Sequence, residues 1–342
     1  MAQPLVLSAA VWLPSGRETV QEMVGAGRLA ADDAEGLGLT EVPVADRSAP
    51  DMAVLAGRRA LAASNTDPGR VGLLAHAWTY HQGHDFWSPA HYIAHQLGAH
   101  AAFPVGVQQL SNGGAAALGM AVRELVAAPE ADAALVTTAD RFTLPGFDRW
   151  AADYGVVYGD AGTAAVLRRR NGTHPSGALL LKSLAFVTDA SFEDMYRGRD
   201  DFSPAPLARG GGVDVRRPKK AYLEIHEGIE EFRHAATHCV GEALRRALHD
   251  AEVDHTDPRL THVALPRLSD GTLDLMYRPV VESLVKADVL DLREASGHLG
   301  AGDLLANLAH LAAPGVLRPG DLAVVLGGGG GFTWSCAVVE GL

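Results

Sequence analysis

In VQQLSNGGAAALG, residues 107–119, a serine stands between an apolar run and a glycine pair. A strand running to Leu110, then Ser111-Asn112-Gly113-Gly114 and an alanine-rich helix, forms a tight elbow. It puts the Ser111 hydroxyl at a helix N-terminus, where free backbone N–H groups and the helix dipole favour developing negative charge. Such a position suits a nucleophile that accepts an acyl group. The same residue types also describe an ordinary N-cap serine.

A serine hydroxyl is a poor nucleophile until a base takes its proton, so the first reading needs a histidine steadied by a third group. His298 in SGHLGAGD lies in a glycine-rich turn before a helix, with Asp303 five residues on. Asp303 could hold the imidazole in one tautomer and stabilise its protonated form, and it equally describes a first-turn carboxylate on the helix dipole. The run GGGGGFTW at 327–334 is expensive in backbone entropy for a simple hairpin, and is explained if backbone N–H groups must approach a carbonyl oxygen closely. It is not a phosphate loop, because the Lys-Ser/Thr ending is missing and a strand follows.

The elements that must carry these residues alternate. Apolar runs at 4–13, 71–78, 133–140, 162–169 and 261–268 predict strands, and 321–340 predicts two strands around the glycines. Helical patterns cover 49–64, 115–128 and 230–251, and 296–313 reads as a turn entering a helix. This is an α/β chain with mixed strands, divided as 1–170, a connecting segment 171–220 rich in Pro, Gly and basic residues towards its end, and 221–342. The halves follow one plan, although no residue-level repeat is visible.

Composition narrows the function classes. The chain has 342 residues, 47% of them hydrophobic and 20% charged, the profile of an ordinary globular protein. A net charge of −12 argues against a nucleic-acid partner, which would need a basic face. Cys239 and Cys336, the two cysteines, lack metal-type spacing and read as small buried hydrophobes. The N-terminus lacks a basic segment followed by a long apolar one, and no window is long and apolar enough to span a bilayer, so a cytoplasmic protein with no membrane partner is expected. The histidine-rich stretch 76–100 has no metal-like pair fixed by other ligands, so no metal is expected.

The motifs in order, APDMAVLAGRRAL at 49–61, VQQLSNGGAAALGMA at 107–121, ALVTTADRF at 134–142, YGDAGTAAVL at 158–167, THVALPRLSDG at 261–271, SGHLGAGD at 296–303 and PGDLAVVLGGGGGFTWSCAVV at 319–339, resemble the ketoacyl-ACP synthase III branch of the thiolase superfamily along almost the whole chain. The resemblance implies a five-layered αβαβα fold of two topologically similar halves and a homodimer, with 76–100 at its interface near the pocket. It also shows departures. The family's nucleophilic cysteine position holds Ser111, its catalytic histidine position holds Arg267, and its asparagine position holds His298.

A Ser111–His298 pair is nonetheless coherent, and is similar to antibiotic-pathway acyltransferases and starter-unit enzymes of the family. The reading is an acyltransferase of polyketide-type metabolism that moves an acyl group from acyl-CoA or an acyl carrier protein, through acyl-Ser111, to a small-molecule acceptor. No cofactor is expected. His298 would be the base, Asp303 its orienter, and the amides of Ser111 and Gly330 the oxyanion hole. Arg267, always protonated, cannot be a base and would pair with a substrate carboxylate or the acceptor. Arg149, Trp150 and the basic run 216–220 would sit at the tunnel mouth, and Phe332 in the substrate pocket. Two alternatives are a starter-unit synthase condensing with malonyl-ACP and a non-catalytic partner of another ketosynthase.

Overall fold

A computed structural model describes residues 4–342 apart from 129, 171, 173, 206–207, 209 and 226–227. The strands are β1 Leu5–Trp12, β2 Gly16–Thr19, β3 Glu41–Val44, β4 Val71–Ala77, β5 Phe103–Val107, β6 Ala133–Asp140, β7 Ala161–Arg169, β8 Leu179–Thr188, β9 Leu260–Ala264, β10 Asp288–Leu290, β11 Leu322–Gly329 and β12 Thr333–Gly341. Ten of them form one mixed sheet in the order β10-β9-β11-β12-β8-β1-β7-β6-β4-β5, while β2 and β3 pair separately.

That order contains a repeat that no residue pattern announced. From its outer edge, the N-terminal half places its third, second, fourth, fifth and first strands side by side (β5-β4-β6-β7-β1). The C-terminal half repeats this as β10-β9-β11-β12-β8. Parallel and antiparallel pairings also match: β4 is parallel to β5 and β6, as β9 is to β10 and β11, and the remaining pairs in each half are antiparallel. The halves meet where Leu5–Leu7 of β1 pairs with Leu179–Leu181 of β8.

The strands are apolar on both faces because both faces are covered. In β6, Ala134 and Val136 join the core between the halves, while Ala133 and Leu135 join the outer one. In β12, Ala337 and Val339 face the central core, while Cys336 and Val338 face the outer core that also holds Cys239. Helix Ala49–Ser64 covers the N-terminal half. It starts on Ser48, whose hydroxyl accepts from the Asp51 amide, and ends on Asn65 at φ +51°. Its Met52 is fully buried, a contribution of about 2 kcal/mol. Helix Gly228–Asp250 covers the C-terminal half, and helices Gly113–Ala127 and Asp303–Leu311 lie between the halves. The layers are therefore αβαβα.

Two boundaries differ from the sequence expectation. The segment 171–220 contains β8, which opens the second half of the sheet, and the start of helix Arg216–Ile225, so the Pro/Gly-rich stretch 203–220 follows β8 and runs into that helix. Residues 206–207 and 209 of that stretch lie outside the described residues. The strand before the elbow ends at Val107, short of Leu110. Leu110 takes φ +44°, a left-handed conformation costing an L-residue roughly 1–2 kcal/mol, and so turns the chain into the Leu110–Asn112 turn. Among the described residues, no helix is long and apolar enough to cross a membrane.

Candidate active site

The two central helices follow the third strand of their halves, and their N-termini abut. Ser111 lies just before Gly113–Ala127, and His298 just before the Gly300–Gly302 turn that enters Asp303–Leu311. The glycines after Ser111 are a consequence of this meeting. A Cβ on Gly114 would stand 2.5 Å from the Ala301 carbonyl oxygen, and one on Gly113 would stand 3.2 Å from the Ala301 Cβ. Only glycine lets the second turn come this close.

The contact aligns three side chains. Ser111 Oγ lies 2.6 Å from His298 Nε2, and His298 Nδ1 lies 2.7 Å from Asp303 Oδ2. Asp303 is buried and also accepts from the Leu299 amide at 2.8 Å and the Arg267 amide at 2.9 Å. Burial alone would raise its pKa, but the His298 charge and hydrogen bond, the Arg267 charge and the Leu299 amide outweigh burial and hold it below the ordinary carboxylate value. An ionised carboxylate only accepts, so His298 carries its proton on Nδ1. Nε2 is then free to accept from the Ser111 hydroxyl. Tyr158 packs its ring edge against the imidazole at 5.2 Å, and the backbone bonds His298 N–H to Val157 O and Gly159 N–H to His298 O fix the segment.

The glycine run is a hairpin after all, closed at 330–332 between β11 and β12, but one that abuts the elbow. A Cβ on Gly329 would stand 2.5 Å from the Asn112 nitrogen and 2.7 Å from the Gln109 carbonyl oxygen, and one on Gly330 would enter the Tyr196 ring. Asn112, buried beneath, accepts from Ser335 Oγ at 2.6 Å and donates to Gln109 Oε1 at 2.8 Å.

Ser111 and His298 open onto a half-open cavity of about 180 Å³. Gly330 and Phe332 line it. Three other residues assigned to the substrate are engaged elsewhere. Arg267 is buried, and its guanidinium donates to Leu292 O, Ser296 Oγ and Asn307 Oδ1, bracing the loop before His298. Arg149 is buried in a salt bridge to Asp160 and donates to the carbonyls of Pro43, Phe142 and Tyr158. Trp150 packs with Met23, Leu29 and Val42, and its indole donates to Glu18 at 2.7 Å. Of the basic run 216–220, Arg216, Arg217 and Lys220 pair with Asp33, Asp200 and Glu224, while Lys219 turns into the cavity.

Lys219 lies in the basic run that the sequence placed at the tunnel mouth, whereas sequence reasoning missed Asp153, Tyr158 and Tyr196 as cavity residues. YGDAG carried Tyr158 only as a landmark. The histidine-rich stretch is diverse: His76 is buried against Thr137 and Gln82, His91 meets Ser88, and Phe86 and Trp87 are exposed.

The family described as 3-oxoacyl-[acyl-carrier-protein (ACP)] synthase III C terminal matches residues 284–341. The beta-ketoacyl-[acyl-carrier-protein] synthase III of Paramagnetospirillum magneticum is 28% identical over 295 residues, 85% of this chain and 83% of that one. The solved structure of the acyltransferase ChlB3 superposes with a TM-score of 0.87 at 30% identity, covering 99% of this chain and 98% of its own. FabH of Pseudomonas aeruginosa PAO1, a 3-oxoacyl-(acyl carrier protein) synthase III, superposes with a TM-score of 0.74 at 19% identity over 99% and 98%, sharing the fold.

Proposed function

We propose that this chain, which belongs to the ketoacyl-ACP synthase III family of thiolase-fold enzymes, is an acyltransferase working through an ester on Ser111. The single observation that carries the reading is the relay from half-buried Ser111 Oγ through buried His298 to buried Asp303 at 2.6 and 2.7 Å. His298 Nε2 takes the hydroxyl proton as Oγ attacks the thioester carbonyl carbon. The C–S bond then breaks, and the leaving sulfur takes the proton from Nε2 and departs as CoA or carrier-protein thiol. In the second half an acceptor hydroxyl, amine or thiol gives its proton to Nε2 and attacks the ester carbon, and Oγ recovers the proton as the C–O bond breaks. Asp303 stays ionised throughout and stabilises the imidazolium. The amides of Ser111 and Gly330 are assigned to the developing oxyanion.

Two observations favour simple transfer over condensation. The position that resemblance assigns to the condensing histidine is Arg267, engaged by Leu292, Ser296 and Asn307, and the ChlB3 relative is an acyltransferase. Condensation with malonyl-ACP is the second reading, favoured by the synthase name of the Paramagnetospirillum relative. Intact-protein mass after incubation with propionyl-CoA tests both: a propionyl adduct lost in Ser111→Ala is expected, and no adduct sinks both. Carbon dioxide released on adding malonyl-ACP would select condensation. A non-catalytic partner subunit would leave pathway output unchanged in Ser111→Ala.

A homodimer is part of the proposal. Strand β5 is one of the two edges of the sheet, its Phe103 is 68% exposed, and exposed Phe86 and Trp87 lie in the stretch expected at the interface. Sedimentation equilibrium reads the mass directly.

A further inference from the structure

The cavity that holds Ser111 and His298 also holds a charged pair that the acyl-transfer steps do not use. Lys219 Nζ lies 2.5 Å from Asp153 Oδ1, with side chains 13% and 1% exposed. The second carboxylate oxygen of Asp153 accepts from the Tyr158 hydroxyl at 2.8 Å, and Lys219 Nζ lies 4.5 Å from the centre of the Tyr196 ring. Around the pair the walls are aromatic: Phe332 lies 4.9 Å from Phe232 and 5.5 Å from Trp334 and Tyr196, ring centre to ring centre.

An ion pair removed from water costs several kcal/mol per ion unless further hydrogen bonds serve its free donors and acceptors. Burial works to discharge Lys219, but the Tyr196 oxygen and the Asp153 carboxylate outweigh it and raise its pKa, so the ammonium keeps three donors. The pair carries no net charge. A substrate carboxylate placed there would meet Asp153 as well as Lys219, and an apolar group would leave unserved the Lys219 donor that Asp153 and Tyr196 do not take. A hydroxyl can accept from the ammonium and donate to the carboxylate.

We propose that Lys219 and Asp153 are a specificity-determining pair that hydrogen-bonds an uncharged hydroxyl of a substrate lying against the aromatic walls. The inference rests on this cavity being the acyl-transfer site. The hydroxyl belongs either to the acyl group or to the acceptor, and both offer the same chemistry to the pair.

The experiment reads binding apart from chemistry, by calorimetric titration of the Ser111→Ala chain with butyryl-CoA against 3-hydroxybutyryl-CoA, benzoyl-CoA against 4-hydroxybenzoyl-CoA, and, for the acceptor alcohols, methoxycyclohexane against 4-methoxycyclohexanol. At least one hydroxylated member should bind about tenfold more tightly than its parent, and succinyl-CoA should bind more weakly than butyryl-CoA. A preference among thioesters assigns the hydroxyl to the acyl group, and one among alcohols assigns it to the acceptor. The double variant Lys219→Met/Asp153→Leu, which leaves no lone charge, should bring the ratio to about one; should it not fold, Lys219→Gln should reduce the ratio several-fold. Equal affinity within every pair, or a ratio that survives these substitutions, overturns the proposal. Failure of the acyl adduct to form on the unaltered chain would overturn the transfer reading alone, since these affinities do not depend on it.

Discussion

His298 Nε2 stands 2.6 Å from Ser111 Oγ although 187 residues separate them. The contact exists because two equivalent helices, one from each half, meet N-terminus to N-terminus across glycines. Each helix end brings free N–H groups to the place where an anion would form.

Ser111→Ala should abolish the acyl adduct and lower transfer by about 10³-fold or more, with folding retained. Ser111→Cys should still form an adduct, because a thiol depends less on a general base and the imidazole remains beside it. Mass spectrometry after acyl-CoA incubation reads both.

Asp303→Asn should cost about 10⁴-fold in turnover. An amide facing Nδ1 as a donor forces the imidazole proton onto Nε2, which then cannot take a proton from Ser111. The oxygen facing Nδ1 also accepts from the Arg267 amide, so the asparagine leaves that amide without its acceptor, at about 1–3 kcal/mol, while Oδ1 still serves the Leu299 amide, and the melting temperature falls too. Steady-state kinetics and a thermal melt check this.

Two buried groups on neighbouring strands should oppose each other in pH. Burial lowers the His76 pKa from 6.5 to about 4, against weaker support from Gln82 and Thr137. Burial raises the Asp140 pKa from 3.8 to about 6, against the amides of Tyr80, Ala301 and Thr79. Folded His76 binds its proton less tightly than the unfolded chain does, so its contribution is lost as pH falls from about 6.5 towards 4. Folded Asp140 binds its proton more tightly, so its contribution is lost as pH rises from about 4 through 6. Each is worth on the order of 3 kcal/mol. Relative to the unaltered chain, His76→Gln should lose stability as pH rises across this window, and Asp140→Asn as pH falls. Denaturant unfolding between pH 4.5 and 6.5 gives the difference curves, and parallel curves would refute the assignment.

Gly329→Ala should damage the site without touching a reacting atom. Its Cβ would meet backbone atoms of Asn112 and Gln109, which cannot rotate away, so the elbow must shift, and a displacement near 1 Å costs about 10²-fold in rate. Gly271→Ala is the contrast. Its Cβ meets nothing within 4 Å on helix Asp270–Met276, and it should stabilise by about 0.5–1 kcal/mol. Rates and melting temperatures separate the two.

Features written in consecutive residues were legible. Ser-Asn-Gly-Gly after an apolar run marks the elbow, and His298 with Asp303 five residues later spans one glycine turn, so the His–Asp contact is local. The doubly apolar strands and helix Ala49–Ser64 with its Ser48 cap follow from period and composition. The direction of a long cation was not legible. Arg149, Arg267 and Lys219 look alike in the sequence, yet the first two brace carbonyls in the core and the third enters the cavity. That the halves follow one plan was legible in the alternation of apolar runs and helical patterns, but the strand order they share was not, because one topology admits many apolar sequences.

The sequence by itself determined the chemistry available: an alcohol at a helix start, an imidazole with its carboxylate, and glycines where backbone must approach backbone. Tertiary structure alone decided which of these share a cavity and that Lys219 and Asp153 join them. The physical reason is that local conformation is set by neighbours in the chain, whereas a side chain's partners are set by how sheet halves and helices pack, and that packing joins residues nearly two hundred positions apart.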